Sequence, residues 1–466
     1  MTPEYRAFSK PVPPKPASLA QGLVAARTNI VFLIGLSLAV GLIIQIEGLA
    51  SALNPQQVTS APSSPTAQLV ADSTMPGLPL PAPLSEEELR WAETAWTYFE
   101  NNTDPATGLV YSGHAYPSTT MWDTGSYLLA TVAAARLEVI AVDEARERLT
   151  RALTALEAMP LVDGRLPNKA YDTRTLAMAD YVNNPVPEGL GWSGLDMARL
   201  IIGMTAVSRF EPDLAGAVAR VTNRFDYTGL VRDGVIISAT RQDDGTLALL
   251  QEGRVGYEEY GAKGLLIVGI DTSRALEVDD TMVIAAVGDT GVPVDSRGRA
   301  THETNAIATS EPYILDGLEF GFDWRSGPFA WSLFEAQAGR HSQTGIPTAV
   351  SEDHIAQAPY FLYSTVFGNG EPWAVLTSRG ERRDDLRTLS TKAAFAWSSL
   401  FPGEYGGVLE SAATAAQSEE FGWYAGIYEA TGEQNRARTA NTNAVVLEAL
   451  HFRAFGPLLP SLGGQS

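Results

Sequence analysis

Six segments of this chain are apolar almost all the way round, and a helix of that composition must be buried on both sides. They are YLLATVAAARLEVI from residue 127, LDMARLIIGMTAV from 195, YGAKGLLIVGI from 260, FAWSLFEAQAG from 329, TKAAFAWSSLF from 391 and TNAVVLEALHF from 442. More polar, amphipathic segments stand between them: one opening at Ser85, DEARERLTRALTALEAM from 143, EPDLAGAVARVTNRF from 211, a short DTSRALEV from 271, a segment near SEDHIAQ from 351, and GEYGGVLESAATAAQ from 403. Six of each in alternation is what six helical hairpins closing into a ring require, with the apolar helices inside. The expected fold class is therefore all-α, an (α/α)6 toroid with short β-hairpin insertions. The insertions are expected at 225–255 and 360–378; in the first, Asp233-Gly234 and Asp244-Gly245 mark turns between β-branched runs. Ser85 and Glu88 form a capping box ahead of Leu89, Ala92, Trp96 and Phe99 at helical spacing, which fixes where the ring begins.

The N-terminal residues read differently. Ile30 to Ile46 is an uncharged run of 17 residues, the lower limit for a helix crossing the hydrocarbon layer. Arg6, Lys10, Lys15 and Arg27 precede it, and the next basic residue is Arg90, an asymmetry that puts the N-terminus in the cytoplasm. The alternative is a cleaved signal peptide, for which Ala50, Ser51 and Ala52 supply a small-x-small site. The expected organisation is a cytoplasmic segment 1–29, a transmembrane anchor 30–46, a Pro-rich linker 47–84 with seven prolines, the toroid 85–457, and a tail 458–466. The expected location is the bacterial inner membrane, single-pass, with the main domain periplasmic.

Charge and composition remove several function classes. With 33 basic and 54 acidic side chains the formal net charge is -21, a sign that repels phosphate and argues against a nucleic-acid partner. The absence of cysteine excludes disulfides, a thiol nucleophile and thiolate metal sites. No GKS or GKT occurs, no GxSxG, and the five histidines show no HExxH spacing. Gly189, Gly191 and Gly194 satisfy a dinucleotide fingerprint, but Pro185 and Pro187 stand where its strand belongs. No cofactor is expected.

In a ring of hairpins the loops leading into the inner helices gather at one end, and the most distinctive residues fall there. Trp122 and Asp123 open the first inner helix; Trp192 and Asp196 the second; Tyr257, Glu258, Glu259 and Tyr260 the third. DGLEFGFDW, with Asp316, Glu319 and Asp323, approaches the fourth; Lys392 opens the fifth; Trp423 and the Asn441-Thr442-Asn443 run precede the sixth. Carboxylates beside aromatic rings suit carbohydrate chemistry, because rings stack on sugar faces while one acid protonates the leaving oxygen and another activates water or attacks. The candidate catalytic residues are Glu258, Glu259, Asp123, Asp316 and Glu352, and the candidate substrate-binding residues Trp122, Trp192, Asp196, Tyr257, Tyr260 and Trp423. The competing reading of each is structural: an Asp at a helix start is often a cap, and a buried Trp fills core.

MWDTGSYLLA, LPNKAYDTRT, GWSGLDMARL, EGRVGYEEYGAKG, ILDGLEFG, TGIPTAVSEDHIAQAPYF, STKAAFAW and GWYAGIYEATGEQNRARTANTNAVVLEALHF together resemble a bacterial envelope family catalogued as a domain of unknown function, itself similar to the glucoamylase-like (α/α) toroids that include β-glucan hydrolases. The resemblance runs from about Ser85 to Pro457. It implies a toroid and a polysaccharide ligand of glucan type. Two functions follow: a glycoside hydrolase or transglycosylase acting on a bacterial glucan or exopolysaccharide, or a non-catalytic toroid that binds such a chain beside exopolysaccharide synthesis or export proteins.

Overall fold

A computed structural model describes residues 64–459. Within them the helices are α1 (Pro65–Asp72), α2 (Glu86–Asn101), α3 (Met121–Arg136), α4 (Val142–Ala158), α5 (Gly194–Phe210), α6 (Ala215–Thr222), α7 (Tyr257–Leu266), a single turn α8 (Arg299–His302), α9 (Glu311–Phe320), α10 (Ser326–Thr344), α11 (Thr391–Leu400), α12 (Glu404–Ala413) and α13 (Ala440–Phe455). Six of them, α3, α5, α7, α9, α11 and α13, form a closed inner ring in which each packs on the next and α13 returns to α3. Around it α4, α6, α10 and α12 each pack on the inner helix that precedes them, while α2 packs on α13. The close approach of α3 to α5 depends on two glycines: a Cβ on Gly125 would stand 2.7 Å from the Arg199 carbonyl, and one on Gly203 2.7 Å from the Gly125 carbonyl. Backbone therefore meets backbone there.

The outer layer is incomplete after α7. A 3-10 turn, Ser273–Leu276, and the antiparallel hairpin Met282–Val287 with Thr290–Asp295 take the place of a helix, and this hairpin packs against α10. Helix α1 covers the same region; Ser64 caps it, Pro65 occupies its first turn, and the Thr66 amide donates to Asp279 at 3.0 Å. The packed unit thus begins at Ser64, inside the segment 47–84 expected to be a linker.

Two sequence expectations need correction. The domain is not all-α: nineteen short strands form seven small antiparallel sheets among the described residues, with no strand longer than seven residues. Several lie in the loops that lead into the inner helices, such as Ser118–Thr120 against Ala170–Asp172 ahead of α3 and Thr388–Ser390 against Gly426–Tyr428 ahead of α11. Strands of two or three residues carry too few positions for an alternating pattern to show. The second correction concerns the membrane. No helix among the described residues is long and apolar enough to cross one, and the span expected at 30–46, with the segment 1–29, lies outside the described residues. The transmembrane helix and the single-pass inner-membrane location with a periplasmic domain, both expected from the sequence, are accordingly withdrawn.

Within the ring the fourth hairpin is shifted. The inner helix is Glu311–Phe320, all of it buried, whereas FAWSLFEAQAG belongs to outer α10, and SEDHIAQ contains the strand Glu352–His354 instead of an outer helix. Three acids made α9 look like a loop. Each is ion-paired inside the protein: Glu311 with Lys392, Asp316 with Lys263, Glu319 with Arg199. The expected hairpins did form, Asp233-Gly234 joining Val231–Arg232 to Val235–Arg241 and Asp244-Gly245 joining that strand to Leu247–Gln251.

Candidate active site

At the heart of the ring lies a sealed ionic cluster. Arg199 of α5 has 0% of its side chain exposed and donates to Glu448 of α13 at 2.8 Å, to the Tyr260 hydroxyl at 2.7 Å, to Ser126 at 3.1 Å and to Glu319 of α9. Tyr260 donates in turn to Glu319 at 2.9 Å. One cation faces two carboxylates. Burial first raises the Glu448 carboxyl well above the usual range; Arg199 pulls it back down and the Glu319 charge adds to the rise.

From this cluster a chain of polar contacts reaches the open end of the ring. Ser126 meets Asn441 at 3.3 Å, Asn441 donates to Glu311 at 2.6 Å, and Glu311 pairs with Lys392, which also lies 3.4 Å from Asp353 and donates to the Glu352 carbonyl at 2.7 Å. The Glu352 carboxylate accepts the Tyr257 hydroxyl. Tyr257 and Tyr260 both touch the indole of Trp122, at 6.1 and 6.0 Å between ring centroids, and Arg199 lies 5.4 Å from the same ring. Trp122 and Glu352 are part exposed while Tyr260 and Arg199 are buried, so the first two face the open end of the ring, here called the cleft, with the ionic cluster beneath.

Glu352 is the acid this environment changes most usefully. Loss of surrounding water first, and the nearby Glu311 charge second, push its pKa up to about 8, so at neutral pH it carries its proton. Asp353, on the opposite face of the same strand, is pushed up to about 6 by burial, against the pull of Lys392.

Asp123 stands at the N3 position of α3. Its Oδ2 accepts Ser112 at 2.5 Å and Thr120 at 2.8 Å, its amide donates to Thr120, and no ion pair holds it among the described residues. Asp196 occupies the equivalent place on α5, capped through Ser193. Burial and the adjacent Glu252 push it up to about 7. Glu252 accepts the Ser193 hydroxyl at 3.1 Å and the Leu195 amide at 3.0 Å, and burial raises its pKa too.

The remaining sequence candidates lie elsewhere. Glu258 pairs with Arg297 at 2.7 Å, itself bound to Asp295 of the outer hairpin. Glu259 caps its own helix through the Gly256 amide at 2.7 Å and lines a crevice with Tyr313, Asp316, Ser326 and Phe329 between the helix layers. Asp316 lies in that crevice, neutralised by Lys263 at 2.6 Å. Trp192 is core, donating to the Gly229 carbonyl at 2.9 Å, and so is Trp423, donating to the Trp91 carbonyl at 3.1 Å. The structure thus brings together Glu352, Trp122 and Tyr257, with Tyr260 below them, while Asp123 follows Trp122 on α3 and is held by Ser112 and Thr120. Glu311, Glu252, Arg199 and Glu448 were missed by sequence reasoning. For Glu311, Arg199 and Glu448 the available signal was a helix too apolar to tolerate a charge without a partner; Glu252 lies just past a strand and gave none.

The comparisons agree with this architecture. A family model described as "Protein of unknown function (DUF3131)" matches residues 90–456. The chain belongs to that family. No curated protein matches it significantly in sequence. Among solved structures, the endo-β-1,2-glucanase from Chitinophaga pinensis, in complex with sophorotriose and glucose, aligns with a TM-score of 0.60 at 11% identity, covering 80% of this chain and 94% of its own. The endo-β-1,2-glucanase from Talaromyces funiculosus, in complex with sophorose, gives 0.57 at 13% identity, covering 80% and 84%. A β-1,2-glucanase from Parabacteroides distasonis gives 0.56 at 11%, covering 81% of this chain and 58% of its own. At such identities the likeness shows a shared toroid fold.

Proposed function

We propose that this member of the family is a glycoside hydrolase acting on a glucan at the open end of its helical ring. The observation that carries the reading is Glu352: a carboxyl held protonated near neutral pH, fixed by the Tyr257 hydroxyl and set beside a solvent-reaching Trp122. Such a group can give its proton to a leaving glycosidic oxygen. Asp123 is its partner in this proposal. Its Oδ2 is held by two hydroxyls, which orients the carboxylate to activate water or to attack the anomeric carbon. Glu311 acts as a positioning residue, because its charge adds to burial in keeping the proton on Glu352, while Lys392, which holds Glu311, pulls the other way.

β-1,2-Glucan is the first substrate to test, since the enzymes of like fold include those that act on it. Transglycosylation would use the same groups with a sugar hydroxyl in place of water. Association with export proteins forms no part of this proposal. The test is to incubate the purified full chain with β-1,2-glucan and a panel of other bacterial glucans, and to assay new reducing ends and rearranged linkages. Release that disappears in Glu352→Gln supports the proposal. Tight binding without release or rearrangement would instead make the protein a glucan-binding toroid.

A further inference from the structure

The hairpin that carries Glu352 has a second feature that the proposed chemistry leaves unused. Glu352 pairs with Tyr363 and His354 with Phe361 across the antiparallel ladder, so all four share one face. The other face, Asp353 and Leu362, is buried, whereas Glu352, His354, Phe361 and Tyr363 all reach solvent. Three aromatic rings therefore extend from the acid along an open strand surface. Phe361 stands edge-on between the other two, 5.1 Å from His354 at 79° and 5.2 Å from Tyr363 at 82°, which fixes both outer rings.

Across from this strip stands Tyr181. Its residue is 64% exposed, unusual for a tyrosine in a well-packed loop. The loop is tightly built: Asp180 accepts the Val182 and Asn184 amides at 3.0 and 2.8 Å, Asn183 donates to Asp172 at 3.0 Å, and the Tyr116 hydroxyl donates to the Tyr181 carbonyl at 3.1 Å. The exposed ring is thus presented by a fixed backbone. Burial of its hydroxyl first, and then the neighbouring Asp196, Glu252 and Tyr363, raise its pKa, so the outer end of the ring stands near Tyr363 while much of the residue is open. A fixed aromatic residue that leaves most of its surface in water has lost backbone entropy for little burial, an arrangement a ligand would complete.

Resting on the hydrolase reading, we propose that Tyr363 and Tyr181 form an aromatic subsite beside Glu352 that takes a glucose residue of the chain next to the bond to be cut. The strip through Phe361 and His354 continues that track, so the substrate extends along the hairpin and a disaccharide is too short to use it. Sugar rings present C–H faces, and their stacking on Tyr needs the ring and not the hydroxyl.

The experiment measures Kd by calorimetry for a series of β-1,2-gluco-oligosaccharides of increasing length, using Glu352→Gln protein so that no turnover intervenes. Affinity should rise with length until the track is filled. Adding Tyr363→Ala or Tyr181→Ala should weaken binding of the long members about five- to tenfold and flatten the length dependence. Tyr363→Phe and Tyr181→Phe should restore it, which separates a stacking role from a folding defect. Unchanged Kd and length dependence in both Ala variants, with binding intact in their parent, would overturn the subsite while leaving the hydrolase reading standing. Glucan binding that is absent from the parent and from wild type would overturn both.

Discussion

Two groups of acids lie along the inner helices, and they illustrate opposite uses of burial. Around Arg199, both Glu319 and Glu448 are fully enclosed, each bonded to the guanidinium, with Tyr260 completing the set. Around Glu352, the neighbouring Glu311 and Asp353 are tied to Lys392, but among the described residues the Glu352 carboxyl itself meets a tyrosine hydroxyl and no cation, on a residue that is part exposed. A charge locked to a cation is spent on structure. A carboxyl whose neighbours have taken the cation retains its proton and can transfer it.

That contrast can be broken by substitution. Removing Arg199, as in Arg199→Leu, leaves buried carboxylates without their cation and should destabilise the fold by about 3–5 kcal/mol, read from urea unfolding. Glu352→Gln should do the reverse, lowering turnover on a responsive glucan about 10²–10⁴-fold without lowering the unfolding midpoint. If the two substitutions exchanged these effects, the division of roles would be wrong.

pH sharpens the same comparison. Glu352 binds its proton more tightly folded, near 8, than at its ordinary value of 4.5, so its contribution to stability is complete below about 4.5 and is lost as pH rises through about 8. Asp196 and Asp353 act in the same direction, to about 7 and about 6. Unfolding free energy should therefore decline across this window, and Glu352→Gln should remove the upper part of the decline. A smaller effect is expected from Trp122→Ala, which should raise KM about tenfold with less change in kcat, because stacking acts on bound sugar in the ground and transition states alike. Glu258→Gln should change turnover least, since its partner Arg297 keeps Asp295 and neither touches the cleft.

The ring itself was legible because helices that are apolar all round declare their burial, and five of the six inner helices lie where those runs stand. The fourth was hidden by Glu311, Asp316 and Glu319, whose partners Lys392, Lys263 and Arg199 come from other helices and cannot be paired from sequence. The site was legible in its aromatics more than its acids. Tyr257 and Tyr260 lie three positions apart and share the helix face turned to Trp122, which leaves Glu258 and Glu259 between them on the other faces. Glu352 depends on a strand of three residues whose register decides its direction, a feature too short to leave a pattern.

The central claim is that Glu352 is an acid that keeps its proton at neutral pH in an open cleft. Carboxyl-carbon NMR of glutamate-labelled chain, with the Glu352 signal assigned by its loss in Glu352→Gln, tests this without any substrate. The account predicts a titration midpoint near 8. A midpoint near the ordinary value of 4.5 would contradict it.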